Sequence, residues 1–383
     1  MKKLPIGIQT FEKLINDDHL YVDKTKLIYQ LIQTATVYFL SRPRRFGKSL
    51  LLSTLEAIFK GKKELFKGLW IYDQPFDWQE YPVIRIDFSK KHIGTCAELK
   101  EFIINELQDI AKHYNIALVR EYYDDIFAEL IKKLTETGKV VVLVDEYDKP
   151  ILGHITDIKT AKKIQETLKG FYAVLKASDE YLKFVFLTGV SKFSKVGVFS
   201  GLNNLNDITM NENYAELLGY TQQELEHYFV EEISILKDKE GLSSAEILTK
   251  IQLWYNGYRF SQAPTSVYNP FSTLLLFNNM SFKNYWFESG TPTFLLNLIK
   301  AQQYDIRNLS AFEADESVFT SYELDHLGVE ALLYQTGYLT IKKFFAYSTE
   351  DKLYTLDYPN FEVEDSFLKH LTDSFGSVRK EIL

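Results

Sequence analysis

Four short apolar runs, separated by stretches of helical spacing, set the pattern of the first half of this chain. They are Val37-Tyr-Phe-Leu-Ser41, Pro82-Val-Ile-Arg-Ile-Asp-Phe88, Lys139-Val-Val-Val-Leu-Val144 and Leu182-Lys-Phe-Val-Phe-Leu-Thr188. Runs of this length, rich in β-branched and aromatic residues, read as buried strands of a parallel sheet. Between them, apolar residues recur at helical spacing over about 97–114, 119–137 and 159–178, and Lys26–Gln33 reads as a helix ahead of the first strand. Strands alternating with helices imply βαβ units and an α/β class with a largely parallel sheet.

Beyond Gly201 the pattern changes. Thr221-Gln-Gln-Glu224 and Ser243-Ser-Ala-Glu246 each fit a capping box that opens a helix. Trp254-Tyr-Asn-Gly-Tyr-Arg-Phe260 and Val267-Tyr-Asn-Pro270 are aromatic and turn-rich. The expected organisation is a core over 1–205, a helical lid over 206–280 and a mixed α/β unit over 281–383. No internal repeat or low-complexity tract stands out.

The first apolar run leads straight into Arg42-Pro-Arg-Arg-Phe-Gly-Lys-Ser49, followed by Leu50-Leu51-Leu52 as the start of a helix. The usual phosphate-binding turn between a strand and a helix is G-x-x-x-x-G-K-[ST], and Gly47, Lys48 and Ser49 fit it. Arg42 stands where the first glycine belongs. Gly47 lets backbone close around a phosphate, Lys48 brings a charge to the β- and γ-phosphates, and Ser49 can ligate Mg²⁺. The free N–H groups of the following helix add partial positive charge.

The third run ends in Asp145-Glu146. In an open α/β sheet, ligands sit outside the carboxyl ends of the strands, where the phosphate turn also lies. Asp145 then belongs to the Mg²⁺ shell and Glu146 to the water that attacks the γ-phosphate. Adjacent residues on an extended strand point apart, which lets the two acids serve different partners. A further strand after these acids is a mark of additional-strand P-loop ATPases, and it puts Thr188 in the position of a polar sensor. If its strand lies between those of the phosphate turn and Asp145, the Thr188 hydroxyl is expected to point to the γ-phosphate or the attacking water.

Composition narrows the partners. A formal net charge of −8 argues against broad contact with a nucleic-acid backbone. Cys96 is the single cysteine, so an intrachain disulfide is excluded. The 28 Phe and 25 Tyr predict bulky cores. The first residues lack a sustained apolar stretch for export and no run approaches membrane-spanning length, so a cytoplasmic protein without a membrane partner is expected.

These residues resemble a known family, the bacterial predicted AAA-ATPase-like proteins. The matching segments include Tyr21-Val-Asp-Lys-Thr25, Ser41-Arg-Pro-Arg-Arg-Phe-Gly-Lys-Ser49, Val144-Asp-Glu-Tyr-Asp-Lys-Pro150, Leu187-Thr-Gly-Val-Ser191, Trp254–Phe260, Thr336-Gly-Tyr-Leu-Thr340 and Pro359-Asn-Phe-Glu-Val363. The resemblance implies an additional-strand P-loop fold with a helical lid and a winged-helix-like α/β extension, with ATP and Mg²⁺ as ligands. Relatives commonly continue into a PD-(D/E)XK nuclease-like domain, but no Pro-Asp…Glu-x-Lys constellation follows Val363 in these residues. Nuclease chemistry is therefore not carried over.

The expected site is Arg44, Arg45, Phe46, Gly47, Lys48, Ser49 and Leu50 around the nucleotide, Ser49 and Asp145 on the metal, and Lys48, Glu146 and Thr188 in catalysis. Arg44 and Arg45 have three readings open: phosphate contact in cis, fingers across a subunit interface, or structural pairing with Asp87 or Asp23. Asp148 reads as shaping its loop. Lys192 and Lys195 read as a solvated turn, with reach to the γ-phosphate or to nucleic acid as the alternative, and Arg259 as either a distal sensor or a structural bond within its turn. The seven histidines have no metal-ligand spacing. Three functions follow as alternatives: an Mg²⁺-dependent ATPase driving a conformational switch, a nucleotide-gated interaction module with little turnover, or a DNA-binding regulator. DNA and a second copy of the chain are candidate partners.

Overall fold

The computed structural model describes residues 2–192, 198–199, 202–288, 293–304, 311–319, 324, 328–346, 348 and 352–380. The apolar runs form the strands β1 (Val37–Ser41), β2 (Val83–Asp87), β3 (Val140–Asp145) and β4 (Leu182–Gly189), joined by the two-residue β5 (Asn206–Asp207). Their order in the sheet is β2-β3-β4-β1-β5 and every pairing is parallel. The strand of Thr188 thus lies between the other two, as the additional-strand reading requires. The short β5 falls just past residue 205, so the sheet draws on the segment after that boundary.

β1 and β3 are buried along their whole length, which is why their sequences carry no alternation. Register aligns Ser41 with Gly189 and Asp87 with Asp145, bringing the polar ends of the strands to one edge. Helices Lys48–Phe59, Cys96–His113, Tyr123–Leu134 and Ile158–Ala177 cover the sheet. The second helical stretch begins at Tyr123 rather than 119 because the Glu129 carboxylate takes the backbone N–H groups of Val119 and Arg120, at 3.0 Å each. That capture holds the preceding residues outside the helix.

Both capping boxes form, on helices Gln222–Tyr228 and Ser244–Tyr255. With Val230–Glu240 and Pro270–Asn279 they enclose a second apolar cluster around Phe229, Ile251 and Tyr255. The Tyr21–Thr25 motif joins this helical part to the sheet: the Lys24 ammonium meets Glu224 at 2.6 Å, and the Asp23 N–H donates to the Tyr228 hydroxyl at 3.3 Å. Burial lowers the Lys24 ammonium, and Glu224 pulls it back up.

After it comes an antiparallel sheet in the order β6-β8-β7, made of β6 (Phe312–Ala314), β7 (Thr340–Ala346) and β8 (Lys352–Asp357). It is flanked by helices Val329–Thr336 and Phe361–Lys380. The main apolar core does not stop at the parallel sheet. It continues through Tyr258, Phe260, Trp286, Tyr338 and Phe367.

Candidate functional site

The turn that leaves β1 has an inner and an outer face. Two of its residues are left-handed, Arg45 at φ 68° and Gly47 at φ 93°. Gly47 stands at the N-terminus of helix Lys48–Phe59, where glycine adopts this backbone without strain. The inner face, formed by Arg44, Arg45, Gly47, Lys48, Ser49 and Leu50, lines a cavity of about 400 Å³. Glu146 and Lys149 line it as well, with Tyr220 and Phe271 from the helical part and Ile8 from the N-terminal segment.

Lys48 is buried, and its ammonium donates to the carbonyls of Arg42 and Pro43 at 3.0 Å each. Burial lowers its pKa, while Glu146, Asp145 and Asp148 pull it upward. Arg45 sits over the Phe271 ring, 4.7 Å from its centroid. Neither Arg44 nor Arg45 pairs with Asp23 or Asp87 among the described residues. Those carboxylates take backbone N–H groups instead, Asp23 from Thr25 and Trp70 and Asp87 from Ser89.

The outer face packs away from the cavity. Arg42 is 1% exposed, and its guanidinium donates to the carbonyls of Ser41 (2.9 Å), Thr209 (2.8 Å) and Tyr214 (3.3 Å). It also stacks on Phe260 at 4.3 Å. Burial lowers this guanidinium to about 10, against the pull of Tyr334 and Asp207. The Phe46 ring packs edge-on against Tyr258 and Phe260, at 4.8 and 5.3 Å. Phe46 is not among the residues lining this cavity, but it borders a smaller apolar compartment beside it. Gly337 abuts Pro43: at φ 91° it is left-handed, and a Cβ there would come within 2.7 Å of the proline ring. The Trp286 indole N–H donates to the Arg44 carbonyl at 3.2 Å.

The acidic wall is built from its neighbouring strand. Asp145 is buried, and its Oδ1 accepts from the Thr188 hydroxyl at 2.8 Å and the Glu146 N–H at 3.1 Å. Oδ2 has no hydrogen bond among the described residues. The strand ends at Asp145, so Glu146 is not on extended backbone as its sequence position suggests. It is left-handed at φ 50°, and this turn, rather than strand alternation, parts the two acids and turns Glu146 to the cavity. Thr188 is fully buried and donates to Asp145, so it reaches the site through that carboxylate. Asp148, buried too, accepts from the N–H groups of Val190 (3.0 Å) and Ser191 (2.6 Å) and from the Ser191 hydroxyl (2.5 Å). It ties the loop after β3 to the end of β4. Burial raises its carboxyl in spite of the Ser191 hydrogen bonds.

The remaining candidates lie elsewhere. Arg259 folds over its own turn, donating to the carbonyls of Ser261, Gln262 and Ala263, so its contacts are the structural alternative. Lys192 pairs with Asp207 at 2.5 Å rather than standing in solvent, and Lys195 lies outside the described residues. Among the described residues no group of three or more His, Cys, Asp or Glu could hold a metal. Ser49 lines the cavity and Asp145 lies buried next to Glu146, a donor set of the kind that suits an Mg²⁺ ion taking one or two protein ligands and completing its shell with phosphates and water. Sequence reading missed Arg42 as a pin and Lys149 as a cavity residue. The arginine in place of glycine was the signal for the first, and the i, i+3 spacing of Lys149 from Glu146 for the second.

Among the described residues, no helix is long and apolar enough to cross a membrane. The pattern of the Predicted AAA-ATPase family matches residues 5–199. An "Uncharacterized protein in vnfD 5'region" of Azotobacter chroococcum mcd 1 is 44% identical over 369 residues, covering 95% of this chain and 69% of that protein. Among solved structures, Cdc6p from Pyrobaculum aerophilum aligns over 94% of this chain and 92% of its own, at 12% identity and a TM-score of 0.31. With its phosphate turn, its acidic strand and a relative alike over nearly its whole length, the chain belongs to the Predicted AAA-ATPase family.

Proposed function

We propose that this chain binds ATP in the cavity beside the phosphate turn and hydrolyses it, using the reaction to drive a conformational switch. The observation that carries the reading is the convergence of Gly47, Lys48 and Ser49 with Glu146 on one cavity. A smaller apolar compartment of about 80 Å³ adjoins it and shares Pro5, Gly47, Leu50, Tyr220 and Pro270. A ligand with an anionic end and a flat apolar end suits that pair of spaces.

The helix N–H groups and the Lys48 ammonium hold phosphate oxygens, the lysine exchanging its loop carbonyls for stronger charged acceptors. Ser49 and Asp145 would hold Mg²⁺, which when bound would neutralise charge on the phosphates. Thr188 acts as a positioning residue by keeping the Asp145 carboxylate in one orientation. Glu146 orients water and takes its proton as oxygen adds to the γ-phosphorus and the bond to the bridging oxygen breaks. Tyr220 and Phe271 belong to the helical part, so the same ligand touches both parts of the molecule and can alter how they meet.

The glutamate separates hydrolysis from nucleotide-gated binding, because a binder has no use for a water-polarising carboxylate. Glu146→Gln is expected to leave ATP affinity within about threefold of wild type and to abolish most turnover. Turnover in wild type no higher than in Glu146→Gln, with DNA present and at high protein concentration, would favour the gated module.

A further inference from the structure

Lys149 is a charged cavity residue to which the nucleotide reading gives no task. Its ammonium stands 3.4 Å from Glu146 Oε2, and its own N–H donates to the Glu146 carbonyl at 3.0 Å, closing a tight turn. Both side chains line the cavity that holds Lys48 and Ser49. The lysine side chain is 46% exposed and the glutamate 26%, so the pair is wet and weak. Glu146 is its ion-pair partner among the described residues.

A carboxylate oxygen engaged by an ammonium is not free to hold a water. The same ammonium sits on a flexible stem beside a space shaped for a more highly charged anion. We propose that Lys149 is a latch that responds to the terminal phosphate. Without that phosphate it occupies Glu146. When a triphosphate fills the cavity, the ammonium moves to the γ-phosphate, and Glu146 is released to orient water. A diphosphate lacks the group that draws the lysine away. Lys149 thereby becomes a specificity residue for triphosphate over diphosphate, and couples that choice to the activation of Glu146. This inference rests on the nucleotide reading above.

Calorimetric titration of wild type, Lys149→Met, Glu146→Gln and the double variant tests it, with Mg²⁺ and either ADP or a non-hydrolysable ATP analogue. Lys149→Met should weaken the analogue about fivefold or more, as loss of a half-exposed charged contact does, and leave ADP unchanged. Glu146→Gln should tighten the analogue about two- to threefold by freeing the lysine, and should have no such effect when Lys149 is already methionine. Lys149→Arg should restore most of the preference. Equal analogue affinity for wild type and Lys149→Met, or a Glu146→Gln effect that is the same in both backgrounds, overturns the latch while ATP binding stands. Absence of nucleotide binding in folded wild type overturns both.

Discussion

The two walls of the cavity are held by different means. On the acidic side, support comes from the adjacent strand: Thr188 grips Asp145, and Val190 and Ser191 grip Asp148. On the phosphate side, support comes from remote parts of the chain. Phe260 lies under Arg42, Gly337 against Pro43, Trp286 on the Arg44 carbonyl and Tyr258 against Phe46. A phosphate turn with both glycines takes its shape from local backbone freedom. Here one glycine is an arginine, and the turn borrows its shape from Tyr258, Phe260, Trp286 and Gly337. The acidic wall is a local device, and the phosphate wall depends on the whole molecule.

Restoring the usual residue should therefore do harm. Arg42→Gly leaves three carbonyls without their donor and opens a cavity beneath Phe260. It is expected to cost about 3 kcal/mol or more in a urea denaturation curve, from lost hydrogen bonds and lost packing. A stability equal to wild type would break the comparison at its root.

On the acidic wall, Asp148→Asn turns an amide NH₂ toward donors that need an acceptor. A loss of about 2 kcal/mol is expected, with turnover falling more than ATP affinity. The sign of its pH dependence is fixed. Because burial raises the folded carboxyl, the contribution of Asp148 is fully present below the ordinary carboxylate pKa and is lost as pH rises through the folded value. The stability gap between wild type and Asp148→Asn should widen as pH falls from neutral toward that range. A gap that narrows would sharpen the comparison against this account of the wall.

The smallest expected effect is that of Thr188→Val, about 1 kcal/mol of stability for one hydrogen bond. Its kinetic signature is more telling. kcat should fall with KM nearly unchanged, since the substitution loosens Asp145 without touching the phosphate turn. A rise in KM alone would assign Thr188 to binding.

How much of this was legible in the sequence follows the same division. The strands and their parallel pairing were readable because buried β-branched runs separated by helices constrain a sheet tightly, and the central position of the Thr188 strand is what the additional-strand resemblance implied. That Gly47, Lys48, Ser49 and Glu146 would line one cavity was readable because the chemistry fixes their spacing. The orientation of Phe46 was not, since an aromatic next to a glycine carries no sign of which face it takes. Nor was the pinning of Arg42 by Thr209, Tyr214 and Phe260, contacts that span more than 160 residues of chain. The left-handed turn at Glu146 was equally hidden, because non-glycine residues adopt it only when surrounding structure imposes it.

Lys48 tests the central claim most directly, because the inner face of the turn exists to present its charge. Calorimetric titration of wild type and Lys48→Ala with ATP and Mg²⁺ should give binding to wild type and at least a tenfold loss in the variant, about 1.5–3 kcal/mol for each charged hydrogen bond removed. Equal affinity in the two proteins, both folded, would contradict a phosphate site at Gly47–Ser49.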